Sequence, residues 1–121
     1  MSHILKTQLA NLTSKETLVT ALKNMGYGIQ EGNISAYQGA TSDTEFHVQQ
    51  MKSVGFRQTE SGNYEMVADF WKTNVNKEDF VHDLQGEYQA VEVAKAIPRN
   101  WKVSNTTKNS GKIRIEIVER L

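Results

Sequence analysis

Near its end the chain alternates isoleucine with charge: Ile113, Ile115 and Ile117 are separated by Lys112, Arg114 and Glu116. A period of two sends the two sets to opposite faces of a strand. Trp101–Thr106 and the turn residues Asn109-Ser110-Gly111 come just before. The pattern therefore predicts a C-terminal hairpin with its isoleucine face in the core and its charged face in water, where the charge discourages edge-to-edge pairing. Further back, Tyr64, Met66, Ala68 and Phe70 share one strand face, and Glu65, Val67, Asp69 and Trp71 share the other. Large apolar residues on both faces predict a central strand covered at least partly on both sides. Phe56–Glu60 runs into it through Ser61-Gly62, a hairpin turn signal. Thr44–Met51 reads as one strand with Phe46 and Val48 on one face and Glu45, His47 and Gln49 on the other. Tyr27–Glu31 and Ile34–Gln38 flank Gly32-Asn33 and predict another hairpin. Residues 3–10 alternate imperfectly and read as a first strand.

Two segments carry the helical period instead. Leu18, Leu22 and Met25 fall at i, i+4 and i+7, one stripe of an amphipathic helix. Thr13-Ser14-Lys15-Glu16 matches a capping box with Thr13 as the cap, and Gly26 stands where a left-handed residue ends a helix. The second helix opens near Asn76 with Asp79 in the reciprocal position, buries Phe80, Leu84, Tyr88 and Val91, and closes at Ile97-Pro98. Gly86 lies inside it, at a cost of about 1 kcal/mol relative to alanine.

The element order is thus β-α-β(4–5)-α-β-β over one domain, residues 1–121. A run of antiparallel strands between two helices implies an α+β fold, a curved antiparallel sheet with both helices on one face. Helix-grip-like and ferredoxin-like layouts both fit that order.

Composition narrows the function classes. The 121 residues are 38% hydrophobic and 23% charged, an ordinary folded-domain balance. The 14 basic and 14 acidic residues cancel, so the basic excess that drives nucleic-acid binding is missing and no nucleic-acid or membrane partner is expected. The chain has no cysteine, which excludes disulfides, zinc–thiolate sites, iron–sulfur clusters and thiol nucleophiles. The start, Met-Ser-His-Ile-Leu-Lys, lacks a basic region followed by an apolar run, and a cytoplasmic location is expected.

Each candidate for chemistry has a structural explanation of its own. His3, His47 and His82 show no metal-ligand spacing. His47 falls on a polar strand face and His82 at the edge of a buried stripe, so both are expected in solvent. His3 beside a free amino terminus offers a square-planar copper or nickel arrangement, but Ser2 favours removal of Met1, which destroys that spacing. Glu65 and Asp69 share a strand face, yet four residues of strand hold them ~13 Å apart, beyond glycosidase separations. Ser110-Gly111-Lys112 lacks the leading glycine and the following helix of a phosphate loop. No cofactor, metal or catalytic residue is expected.

Met1-Ser2-His3, Leu18-x-x-Ala21-Leu22-x-x-Met25-Gly26, Tyr37-Gln38-Gly39, Val54-Gly55-Phe56, Tyr64–Trp71 and Tyr88 follow one another in an order that resembles the hypothetical chloroplast reading frame thirty-five family. This is a domain family of unknown function found in cyanobacteria, plastids and cyanophages. The resemblance covers nearly the whole chain and departs from the family at Ile4, where an aromatic is usual. It implies a cytosolic or stromal setting and assigns no activity or catalytic residue.

The function expected is a non-catalytic accessory or protein-interaction domain, able to form a homo-oligomer. Its surface is expected on the outward face of the central strands, at Trp71, Asp69, Glu65 and Arg57, because an exposed tryptophan is a strong anchor for a partner. The alternative is a groove for a small apolar ligand between the second helix and the sheet, lined by Tyr64, Phe70, Phe80 and Tyr88.

Overall fold

Gln49 and Gln50 interrupt the alternation after Val48, and the chain reverses there to build the middle of the sheet. In this computed structural model, which describes residues 4–36, 39–98, 100–109 and 112–119, the elements run β1 (Leu5–Leu9), α1 (Lys15–Asn24), β2 (Ile29–Glu31), β3 (Ile34–Ser35), β4 (Thr41–Ser42), β5 (Phe46–Val48), β6 (Met51–Gln58), β7 (Tyr64–Ala68), α2 (Lys77–Ala96), β8 (Trp101–Asn109) and β9 (Lys112–Glu119). The fold is α+β, as its sequence order implies. Five strands form one sheet in the order β1-β7-β6-β5-β2, and every neighbouring pair is antiparallel. Among the described residues six strands, rather than four or five, separate the helices.

Both helices cover one face of the sheet. Leu18, Ala21 and Leu22 of α1 and Phe80, Leu84 and Tyr88 of α2 pack on Phe46, Val48, Val54, Phe56, Tyr64, Met66 and Ala68. Each large apolar side chain buried this way contributes roughly 1.5–3 kcal/mol. The Phe46 and Phe56 rings stack at 5.4 Å across the β5–β6 pair. Tyr88 also ties α2 to the start of α1, since its hydroxyl accepts from the backbone N–H groups of Thr13 (3.1 Å) and Ser14 (2.9 Å). The cap itself lies one residue from its expected place. Ser14, not Thr13, is the N-cap, and its hydroxyl accepts from the Thr17 N–H at 3.2 Å. The cap of α2 is the expected one, Asn76 accepting from the Asp79 N–H at 3.0 Å.

The opposite face of the sheet is covered by β3 and β4. Gly32-Asn33 is not the hairpin turn its composition suggests, because β2 pairs with β5 while β3 pairs with β4. Long-range hydrogen bonds explain the difference. The Gly32 N–H donates to Glu45 O at 3.0 Å, and Asn33 Oδ1 accepts from the Thr44 N–H at 3.1 Å. Gly32, at φ +114°, turns the chain out of the five-stranded sheet and onto its second face. Ile34 then seats, fully buried, over Gly55 of β6.

The strands β8 and β9 form a separate ribbon. Their isoleucine face does not enter the main core. It lies along α2, where Gly86 and Ala90 sit beneath Ile113 and Ile115. Ile113 and Ile115 are half-buried there, and Ile117 is 42% exposed. Val91 correspondingly lies at this interface, half-buried, rather than in the stripe facing the sheet. Lys108 of the ribbon pairs with the buried Glu87 of α2 at 2.5 Å.

Candidate functional site

The outward face of β6 and β7 is divided by the β3–β4 hairpin. Its middle, Val67 and Gly55, is buried beneath Ile34. Of the four residues expected to form one surface, the structure joins Arg57 to Glu65 and Asp69 to Trp71, and it separates the two pairs. Arg57 and Glu65 are opposite each other in the β6–β7 ladder. The Arg57 Nε donates to Glu65 Oε2 at 2.9 Å, and Nη1 donates to Asp43 O at 3.3 Å. Cross-strand pairs of opposite charge stabilise a sheet by a few tenths to about 1 kcal/mol.

Asp69 and Trp71 lie at the other end, where β7 finishes and β1 begins. Asp69 is 1% exposed and stitched to β6, its N–H donating to Ser53 O at 2.9 Å and its carbonyl accepting from the Ser53 hydroxyl at 2.5 Å. Its Oδ1 accepts from the Trp71 N–H at 2.9 Å. Its Oδ2 is buried and has no hydrogen-bond partner among the described residues. The following residues form a tight loop. The Thr73 hydroxyl donates to Phe70 O at 2.8 Å and accepts from the Val75 N–H at 3.2 Å. Lys72 and Asn74 adopt left-handed φ values of +62° and +60°, strain of about 1–3 kcal/mol per residue that such hydrogen bonds must hold in place. The loop leaves Trp71 55% exposed. Leu5, paired with Ala68 at the same end of the sheet, is 56% exposed. Leu5 was not singled out by its sequence, because a leucine at a strand's first position carries no signal of exposure.

The rings expected to line a ligand groove are core residues. Tyr64, Phe80 and Tyr88 are buried, and Phe70 packs its ring 5.6 Å from that of Phe80. The Tyr64 hydroxyl donates to Glu45 Oε1 at 3.3 Å, and burial together with Glu45 pushes its pKa up to about 12. Burial and the nearby Asp83 also raise the pKa of Tyr27. A cleft does exist on the far side of α2. It measures about 550 Å³ and runs between the helices and the ribbon, lined by Ala90, Val91, Ala94, Val103 and Ile115 with Thr20 and Lys95 among its polar groups.

His47 is buried, contrary to its expected exposure, because β3 and β4 roof the face it points to, and its Nδ1 lies 3.1 Å from Gly32 O. His82 is exposed, as its position predicts. His3, Tyr37, Gln38, Ser110 and Gly111 lie outside the described residues. Among the described residues, no group of three or more His, Asp or Glu side chains is placed to hold a metal ion, and no helix is long and apolar enough to cross a membrane.

No curated protein and no solved structure matches the chain. A family model, by contrast, matches residues 21–115, from the first helix into the final strand. The chain therefore belongs to the family described as protein of unknown function (DUF1257).

Proposed function

We propose that the chain works as an accessory protein-interaction domain, acting by binding rather than catalysis, and that it grips its partner through the Trp71 loop. The observation that carries this reading is a large aromatic side chain, 55% exposed, on a loop whose strained backbone is pinned by Asp69 and Thr73. A pre-ordered tryptophan loses little entropy on docking, and such residues dominate binding hot spots. Leu5 is a second exposed large apolar side chain at the same end of the sheet. The polar groups best suited to chemistry are meanwhile engaged structurally: Glu65 with Arg57, Glu87 with Lys108, and His47 against Gly32 O. The setting that suits the reading is cytoplasmic.

Affinity capture from the source cell's lysate tests this, using wild type and Trp71→Ala with matched circular dichroism spectra. A hot-spot tryptophan supplies at least about 2 kcal/mol, so a partner recovered by wild type should bind the variant roughly 30-fold more weakly. Equal recovery of every partner by both proteins refutes the assignment.

A second reading is favoured by the cleft of about 550 Å³ beside α2. Its size and apolar lining suit a small apolar ligand, in a different place from the groove between α2 and the sheet. Ala94→Phe would fill it. Binding of an apolar fluorophore should then fall at least tenfold, and unchanged binding removes this reading.

A further inference from the structure

The strand β9 presents an outer edge eight residues long, Lys112–Glu119. Among the described residues it pairs with β8 and with no other strand. Long edges rich in β-branched residues are templates for another strand unless the protein guards them. The sequence of this edge decides which strand fits it. An antiparallel pairing that keeps the apolar faces together must match odd residues with odd and even with even. Within that rule, a two-fold axis at Ile115 sets Ile113 opposite Ile117 of a second copy and Ile115 opposite its own counterpart. On the charged face the same register sets Arg114 opposite Glu116 of the second copy, and it does so twice. Shifting the axis to Glu116 sets Glu116 against Glu116 and Arg114 against Val118, with no attractive pair between Arg114 and Glu116; shifting it to Arg114 sets Arg114 against Arg114, between two Lys112–Glu116 pairs. Like charges directly opposite in a sheet are destabilising, so those registers are disfavoured.

We infer that two copies of this chain associate through β9, making one four-stranded antiparallel sheet from two ribbons about a two-fold axis at Ile115. The edge is self-complementary, which is what an isologous interface requires. Charges that oppose an unrelated apolar strand become attractive toward a second copy, so one set of side chains serves both for recognition and against mispairing. The apolar side of the joined sheet lies next to exposed surface. Ile117 is 42% exposed and Val93, beside Ile113 and Ile115 on α2, is 45% exposed. A second ribbon alongside the first would cover both. A two-stranded ribbon is marginal without further support, and two added strands supply it.

Sedimentation equilibrium of the full chain tests this. Wild type should sediment at twice 13.7 kDa. Arg114→Glu and Glu116→Arg each turn two attractive pairs into repulsive ones, and each should raise the dimer dissociation constant roughly tenfold or more. The double variant Arg114→Glu/Glu116→Arg restores both pairs and should return to within about threefold of wild type. Hydrogen exchange supplies a readout independent of mutation: the β9 amides that point away from β8 should gain protection as concentration rises. A monomer at all concentrations overturns the proposal. So does a dimer indifferent to both single variants, one that the double variant fails to restore, or one whose outward β9 amides exchange at a concentration-independent rate.

Discussion

Gly55→Ala adds one methyl group at the tightest point between the sheet and its β3–β4 cover. A Cβ at Gly55 would fall well inside contact distance of Ile34 Cγ2, and it would lie 2.9 Å from both Phe46 O and Thr44 Cγ2. The Phe46 carbonyl belongs to the neighbouring strand of the same sheet, so it cannot withdraw without disturbing the β5–β6 pair. Ile34 is fully buried and has little space to rotate. Inserting a methyl into such a site costs typically 1–3 kcal/mol. The opposing gain, from a less flexible unfolded chain, is about 0.4–1 kcal/mol. The expected net loss is about 1–2 kcal/mol, with the melting temperature falling by roughly 3–10 °C for a chain of this size. Urea unfolding gives the stability directly. The double variant Ile34→Ala/Gly55→Ala isolates the cause. Ile34→Ala alone should cost about 2–4 kcal/mol, but it also vacates the space the new methyl needs. The two changes should therefore cost at least about 1 kcal/mol less together than their sum. A Gly55→Ala protein as stable as wild type, or strict additivity in the pair, would refute the claim that Ile34 closes the second face over Gly55.

Other consequences follow from single contacts. Tyr88→Phe removes the acceptor for two N–H groups at the start of α1, and urea unfolding should show a loss of about 1–3 kcal/mol. The Tyr64 proton is held to about pH 12 against an ordinary value of 10.0. A raised pKa on a neutral acid gives stability that is complete below pH 10 and lost as pH climbs toward 12; wild type should weaken over that window, and Tyr64→Phe should lessen the loss while removing one tyrosinate absorbance step near pH 12. Asp69→Ala frees the Trp71 N–H from its acceptor, which should cost about 1 kcal/mol in stability and change tryptophan fluorescence anisotropy as the loop loosens.

Local chemistry made much of this fold legible. Asn76 and Asp79 mark the start of α2 and Pro98 its end, because caps and proline act within one turn of helix. Gly26 marks the end of α1 for the same reason. Features set by distant partners were not legible. Gly32-Asn33 has a turn's composition, but Thr44 and Glu45 decide what it does. Alternation told which face of β9 is apolar, yet it does not encode whether a sheet, a helix or a second chain covers that face. The burial of His47 had one faint signal, a glycine inside a strand at Val54-Gly55-Phe56, which often marks the close approach of another segment. The candidate site divides in the same way. Trp71 was identifiable as a large aromatic on the face away from the helices, whereas its separation from Arg57 and Glu65 depends on Ile34, more than twenty residues before any of them along the chain.

The most direct test of the binding role is a photoreactive phenylalanine placed at position 72, beside the intact Trp71, in the source cells, with a second probe at Lys102 on the ribbon as the control. Ultraviolet light should give a discrete adduct with one cellular protein from position 72 and none with that protein from position 102. A folded protein that gives no adduct at position 72, or the same adducts from both positions, would contradict the assignment of the Trp71 loop as the partner-binding site.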